Sequence, residues 1–347
     1  MRNQRKAFLV VLALVMALLL GFTLAGCGGG KQETPAKDQK QSEVPEEQKE
    51  KFPTKPVTLI IPYKAGGGSD VAARLLAQVS EKHLGQSIVP VNVEGGASAT
   101  GLTQLATSKN DGYTIATCTS TISALKPQGR MPYSSQDYEP VIGYQANTYA
   151  IGVNKNSPFK TIEEFIDYAK KNPGKLSVGV SSVGSNIYLS AVAFQMETDT
   201  KLNLVPDPGG AAKGILEVAG GNLDAAIGGP NEFFSQIQAG NVRLLAVMTD
   251  KRLKAFPDVP TFKEKGINLE FRTCRFILAP KGTPEDRIKI LHDAFKKGME
   301  DPKFQEYIKS SGSEEFYHDY KSAKEYLKWQ DDYYYKLLER ANLLKKK

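Results

Sequence analysis

The chain has 347 residues, 41% of them hydrophobic, which is enough to build more than one domain with an unstapled core. Its 45 basic and 38 acidic side chains give a formal net charge of +7. Three of the cations, Arg2, Arg5 and Lys6, precede an uncharged leader, and the small excess left behind them excludes a dedicated nucleic-acid binder.

From Ala7 to Ala25 there is no charge, the pattern of an export signal or a membrane helix. The end of the run decides between them. Leu24-Ala25-Gly26-Cys27 resembles the bacterial lipobox, so residues 1–26 are read as a lipoprotein signal peptide and Cys27 as the lipidated residue. Two acyl chains anchor a protein stably where one is marginal, which places the rest of the chain outside the cell membrane. Residues 27–53, with Val44 and Phe52 as nearly their only bulky apolar side chains, predict a disordered tether with a reach of about 30 Å.

Beyond the tether, short β-branched runs alternate with amphipathic segments, the mark of α/β layers. Val57 to Pro62 reads as a strand and is followed by a helix to Gly85, capped by Ser69 or Asp70. Strands follow at Ser87 to Val93 and Tyr113 to Thr117, with a helix from Gly101 to Thr107 between them. A long apolar strand is expected around Gln145 to Asn154. Thr161-Ile162-Glu163-Glu164 then forms a capping box, opening a helix that Pro173-Gly174 closes. Strands at Leu176 to Val180, Leu223 to Ile227 and Arg243 to Thr249 alternate with helices at Asn186 to Glu197, Gly210 to Gly220 and Asn231 to Ala239. A strand from Phe271 to Ala279 leads to a helix opened by Thr283-Pro284-Glu285, and two further helices end the chain. In the last of these, Tyr326, Trp329, Tyr333, Tyr334 and Tyr335 recur with leucines at a spacing that predicts packing against the first domain.

An enzyme is disfavoured. His83, His292 and His318 each fall in or beside a helix, no His or Cys spacing suits a metal, and no nucleophile elbow is present. The turn Gly66 to Asp70 lacks the Gly-Lys-Ser/Thr ending of a phosphate loop, so no nucleotide, cofactor or metal is expected. Cys118 and Cys274 would share an oxidising compartment, and whether they pair is open. What recurs is glycine and hydroxyl at strand-to-helix turns, which exposes backbone N–H groups at positive helix ends where a carboxylate can sit. The candidate ligand residues from these turns are Gly66, Gly67, Gly68, Ser69, Gly96, Ser98, Thr119, Ser120, Ser181, Ser182, Gly184 and Ser185.

An ordered set of motifs carries a resemblance over roughly residues 54–340. It runs through Val57 to Arg74 with Pro62 and Asp70, Gly95-Gly96 to Gly101, Asp111-Gly112-Tyr113-Thr114, Pro173-Gly174-Lys175-Leu176 and Val205-Pro206. It continues with Gly220-Gly221, Arg243 to Val247, Pro257-Asp258-Val259-Pro260-Thr261 and Ala279-Pro280 to Pro284. This order resembles the tripartite tricarboxylate transporter substrate-binding proteins, also called Bug proteins. The resemblance implies an α/β, two-domain periplasmic binding protein fold (a Venus flytrap, type II-like) with the ligand cleft between domains. It also implies a carboxylic acid ligand and delivery to a transporter with one large and one small membrane subunit.

Two departures from the family bear on the site. In Val205-Pro206-Asp207-Pro208-Gly209 a carboxylate stands where the family commonly has Tyr; Asp207 either borders the cleft or caps the next helix, and the cap is favoured because a second anion beside an anionic ligand is costly. Near the position where relatives carry Trp before Ala-Pro, this chain has Cys274-Arg275 with Arg272 close by. Arg275 can grip a carboxylate with its planar fork, or it can be a surface arginine at a domain crossing. The expected organisation is domain 1 from 54–150 plus 276–347 and domain 2 from 151–275, joined by two crossings. The chain is expected to be a monomeric, lipid-anchored, extracytoplasmic binder of a small carboxylate. Its rivals are a ligand-presenting sensor component for a signalling kinase and a hydrolase.

Overall fold

The computed structural model describes residues 51–346. In strand β1 (Val57–Ile61), successive side chains go to opposite faces: Leu59 and Ile61 join one core cluster and Ile60 another. Strands β2 (Ile88–Asn92) and β3 (Thr114–Thr119) flank it in parallel. Three more strands, β4 (Tyr138–Thr148), β10 (Arg272–Pro280) and β11 (Glu314–His318), complete a six-stranded sheet in the order β11-β4-β10-β3-β1-β2. Helices α1 (Gly68–Leu84) and α8 (Glu285–Met299) cover one face through Leu76, Leu291 and Phe295. On the other face lies α2 (Ala99–Ala106), through Leu102 and Leu105.

The second sheet has five strands in the order β7-β6-β8-β5-β9, made of β5 (Ala150–Asn154), β6 (Ser177–Ser181), β7 (Asn203–Asp207), β8 (Ala225–Gly228) and β9 (Val242–Val247). Helices α4 (Ile162–Lys171) and α5 (Asn186–Thr198) pack on one face through Phe165 and Phe194, and α6 (Ala211–Ala219) packs on the other through Ile215 and Val218. The capping box of α4 is present in both directions: Glu164 N–H donates to Thr161 Oγ1, and Thr161 N–H donates to Glu164 Oε2, each at 3.3 Å.

Several elements differ from the sequence reading. The apolar stretch from Gln145 to Asn154 is two strands, because the chain leaves the first sheet at Thr148 and enters the second at Ala150, with Tyr149 between them. The segment 231–239 is a 3₁₀ turn (Pro230–Phe233) followed by the short helix α7 (Phe234–Gln238). After α9 (Pro302–Ser310), β11 forms as an edge strand whose charged, weakly alternating sequence gave no strand signal. Gly67, not Ser69 or Asp70, occupies the N-cap of α1. At α8 the N-cap is Pro284, and the Thr283 hydroxyl bonds instead to the Pro280 carbonyl at 2.8 Å.

The last helix, α10 (Tyr320–Arg340), packs on both sheets rather than the first alone. Ala323 and Leu327 join the first-sheet core, while Tyr334, Leu337 and Leu338 join the second-sheet core. It is therefore a third link beside the two strand crossings, and the described residues, 51–346, form one compact unit. Cys118 and Cys274 are both free and buried on neighbouring strands, and burial pushes the Cys274 thiol up to about 12. Among the described residues no helix is long and apolar enough to cross a membrane. The signal peptide, Cys27 and nearly all of the expected tether lie outside the described residues.

Candidate binding site

Parallel strands deliver their C-terminal ends to one edge of a sheet. In the first sheet that edge carries the turns after Ile61, Asn92 and Thr119, and antiparallel β10 brings Arg275 beside Thr119 in register. In the second sheet it carries the turns after Ser181, Asp207 and Gly228, with Ser181 paired to Asp207.

Arg275 is the centre of the first edge. It is only 9% exposed, and its Nε donates to Ser69 Oγ at 3.2 Å while Nη1 donates to Asn147 Oδ1. Its Nη2 lies 4.0 Å from where a Cβ on Gly68 would stand, against the start of α1. No carboxylate among the described residues forms an ion pair with it. The N-cap Gly67 offers no side chain to the first turn of α1, so those N–H groups stay free for an anion. Gly66 has a different task. Its N–H donates to Asp70 Oδ2 at 2.9 Å, and Asp70 also accepts from Asn92 and Arg74. Burial opposes ionisation of Asp70, but these donors hold its carboxyl below the ordinary range.

Tyr63 and Thr119 form the neighbouring wall. Tyr63 O–H donates to Thr119 Oγ1 at 3.1 Å, Thr119 N–H donates to the Tyr63 oxygen at 2.8 Å, and Thr121 Oγ1 lies 2.7 Å from Thr119 Oγ1. Burial pushes the Tyr63 phenol up to about 12, so it remains a neutral donor. Ser120, a candidate from the same turn, is turned inward and bonds the Cys274 N–H at 2.8 Å, where it supports the crossing strand.

The turn after β2 is strained. Gly95, Gly96, Ala97 and Ser98 all have positive φ, and for Ala97 and Ser98 that conformation costs about 1–2 kcal/mol each. The Ser98 hydroxyl is buried with no partner, beside the N-terminus of α2.

On the second edge, Ser182 is exposed, Gly184 takes φ 79°, and Ser185 caps α5 by accepting the Tyr188 N–H at 3.2 Å. A Cβ on Gly184 would stand 3.2 Å from Gln128 Nε2, so this turn faces the first sheet's α3 (Ile122–Leu125) region. Asp207 accepts the Gly209 N–H at 2.7 Å and pairs with Lys213 at 3.0 Å. Gly210, not Asp207, is the N-cap of α6, so Asp207 organises the turn ahead of that helix without capping it, and Lys213 already meets its charge.

Arg272 and Arg275 lie three residues apart on β10, and side-chain alternation sends them to opposite faces. Arg272 bonds Asp250 and lies 2.9 Å from Glu270 and 3.7 Å from Glu314. A recess of about 20 Å³, room for one water, opens beside it among Phe271, Trp329 and Tyr333, and it shares no residue with the edges described above. Sequence reasoning missed Asn147, Tyr63 and Thr121. The antiparallel pairing of β4 with β10 sets Asn147 opposite Thr273, and only that pairing reveals it.

Residues 72–343 match the family described as Tripartite tricarboxylate transporter family receptor, TctC. The chain belongs to this family. It is 32% identical over 277 residues to the UPF0065 protein in the gbd 5′ region of Cupriavidus necator, covering 78% of this chain and 82% of that one. It superposes on a ligand-free TctC solute-binding protein from Polaromonas at TM-score 0.78 and 30% identity, covering 83% of this chain and 99% of the other. An R. palustris protein solved with adipate aligns at TM-score 0.66 and 27% identity over 85% of this chain and all of its own. TctC is a receptor family rather than an enzyme family, and its fold is that of the two-domain periplasmic binding proteins.

Proposed function

We propose that this TctC protein captures a small carboxylate between the two sheet edges and delivers it to the large and small membrane subunits of a tripartite tricarboxylate-type transporter. The observation that carries this reading is Arg275, a buried guanidinium without a carboxylate partner among the described residues, set against the free N–H groups that open α1. A buried, uncompensated cation is costly, and an anionic ligand supplies the missing charge. Ser69, Thr119 and the Ser98 turn line the same edge, and Ser181, Ser182, Gly184 and Ser185 face it from the second sheet. Adipate in a 27% identical relative supports a dicarboxylic acid as the first ligand to test. The two sheets act as lobes, with the chain crossing between them at Tyr149 and again just before β10, and closure buries the ligand. Cys27 lipidation holds the binder outside the membrane.

Native mass spectrometry of the purified chain tests this directly. A bound, chemically unchanged carboxylate is expected, and a consumed ligand or a non-anionic one would refute the reading.

A further inference from the structure

Four polar groups from four segments, three of them buried and Thr273 partly so, meet where the two sheets join. Tyr149 sits between β4 and β5, Thr273 on β10, Asn186 at the first residue of α5, and Tyr334 on α10. The Tyr149 hydroxyl lies 2.6 Å from Thr273 Oγ1. Asn186 Nδ2 donates to the same oxygen at 2.7 Å, and Tyr334 O–H donates to Asn186 Oδ1 at 2.9 Å. Burial pushes the phenols of both tyrosines up, so each stays a neutral hydrogen-bonding group. The amide of Asn186 thus has one orientation that satisfies both its ends.

The placement ties the two halves of the site together. Thr273 and Arg275 share one face of β10, two residues apart. Arg275 reaches the first-sheet edge through Ser69, while Thr273 holds the residue that begins α5, directly after the Ser182–Ser185 turn. Tyr149 belongs to the first crossing and Tyr334 to the helix that links both cores. From this arrangement we infer that Asn186 is a positioning residue. It fixes the second anion-binding turn to the hinge, so that one strand face sets the spacing between that turn and Arg275. The inference rests on the carboxylate-binding reading for its functional consequence.

Thr273→Val keeps the shape but removes the hydroxyl, leaving Asn186 Nδ2 without its acceptor, and Thr273→Ser restores it. Asn186→Ala removes the link altogether. In ligand-free protein, hydrogen exchange at residues 182–189 is expected to be about tenfold faster in Thr273→Val and Asn186→Ala, and at the wild-type rate in Thr273→Ser. Adipate affinity, by titration calorimetry, is expected to fall about tenfold in the first two variants and to recover within about twofold in the third. Unchanged exchange in Thr273→Val overturns the inference. So does acceleration spread evenly over the chain, which would mark a merely structural bond. If wild-type protein binds neither adipate nor any other carboxylic acid, the functional reading fails, and the exchange comparison still decides whether Asn186 positions the turn.

Discussion

Replacing Arg275 separates the charge it supplies to a ligand from the charge it imposes on the empty protein. In Arg275→Met the side chain keeps an unbranched apolar stem and loses its cation. Loss of a desolvated charged partner costs about 2–5 kcal/mol of binding, a weakening of roughly thirtyfold to several thousandfold. Stability should move the other way or not at all. Arg275 is 9% exposed and among the described residues has only the neutral partners Ser69 and Asn147, so an apolar replacement removes a buried charge that no described carboxylate compensates. Arg272→Ala provides the opposite pattern. It strands Asp250, Glu270 and Glu314 without their shared cation, lowering stability while leaving affinity nearly unchanged. The assay is titration calorimetry with the acid identified by native mass spectrometry, alongside thermal melting of ligand-free protein. Wild-type affinity in Arg275→Met, or a large loss of affinity in Arg272→Ala, would refute the assignment of the cleft face of β10.

Ser182→Ala should weaken the same ligand about fivefold, the loss of one hydrogen bond of roughly 1 kcal/mol, and an unchanged calorimetric constant would remove Ser182 from the site. Asp70 has a depressed pKa in the folded state, so the stability it contributes is present above its ordinary value of 3.8 and is lost as pH falls through the lower folded value. Asp70→Asn should therefore be less stable than wild type by about 1–3 kcal/mol at neutral pH, and the gap should close in melts taken below pH 3.8; a gap constant with pH contradicts this. Cys27→Ser should abolish metabolic labelling with palmitate, and persistent label would rule out that acceptor.

Interactions confined to a few residues were legible in the sequence. The Thr161–Glu164 capping box, the αL glycine that ends α1 at Gly85 and the turns rich in glycine and serine all depend on neighbours within one helical turn. Once β10 is paired, alternation sets Arg272 and Arg275 on opposite faces, but which of them serves the ligand was left open by the sequence. Long-range pairing lay beyond such reasoning. The break at Tyr149 exists because β4 and β5 belong to different sheets, although the apolar run is continuous through it. The strand β11 is created by its partner β4, and α10 links both cores only because its two halves meet different sheets. Asn147 and Ser69 become partners of Arg275 across 128 and 206 residues of sequence. Local chemistry in the chain determined the kind of turn at each edge, and the tertiary structure decided which charge was left without a partner among them, since burial and pairing are properties of the assembled sheets.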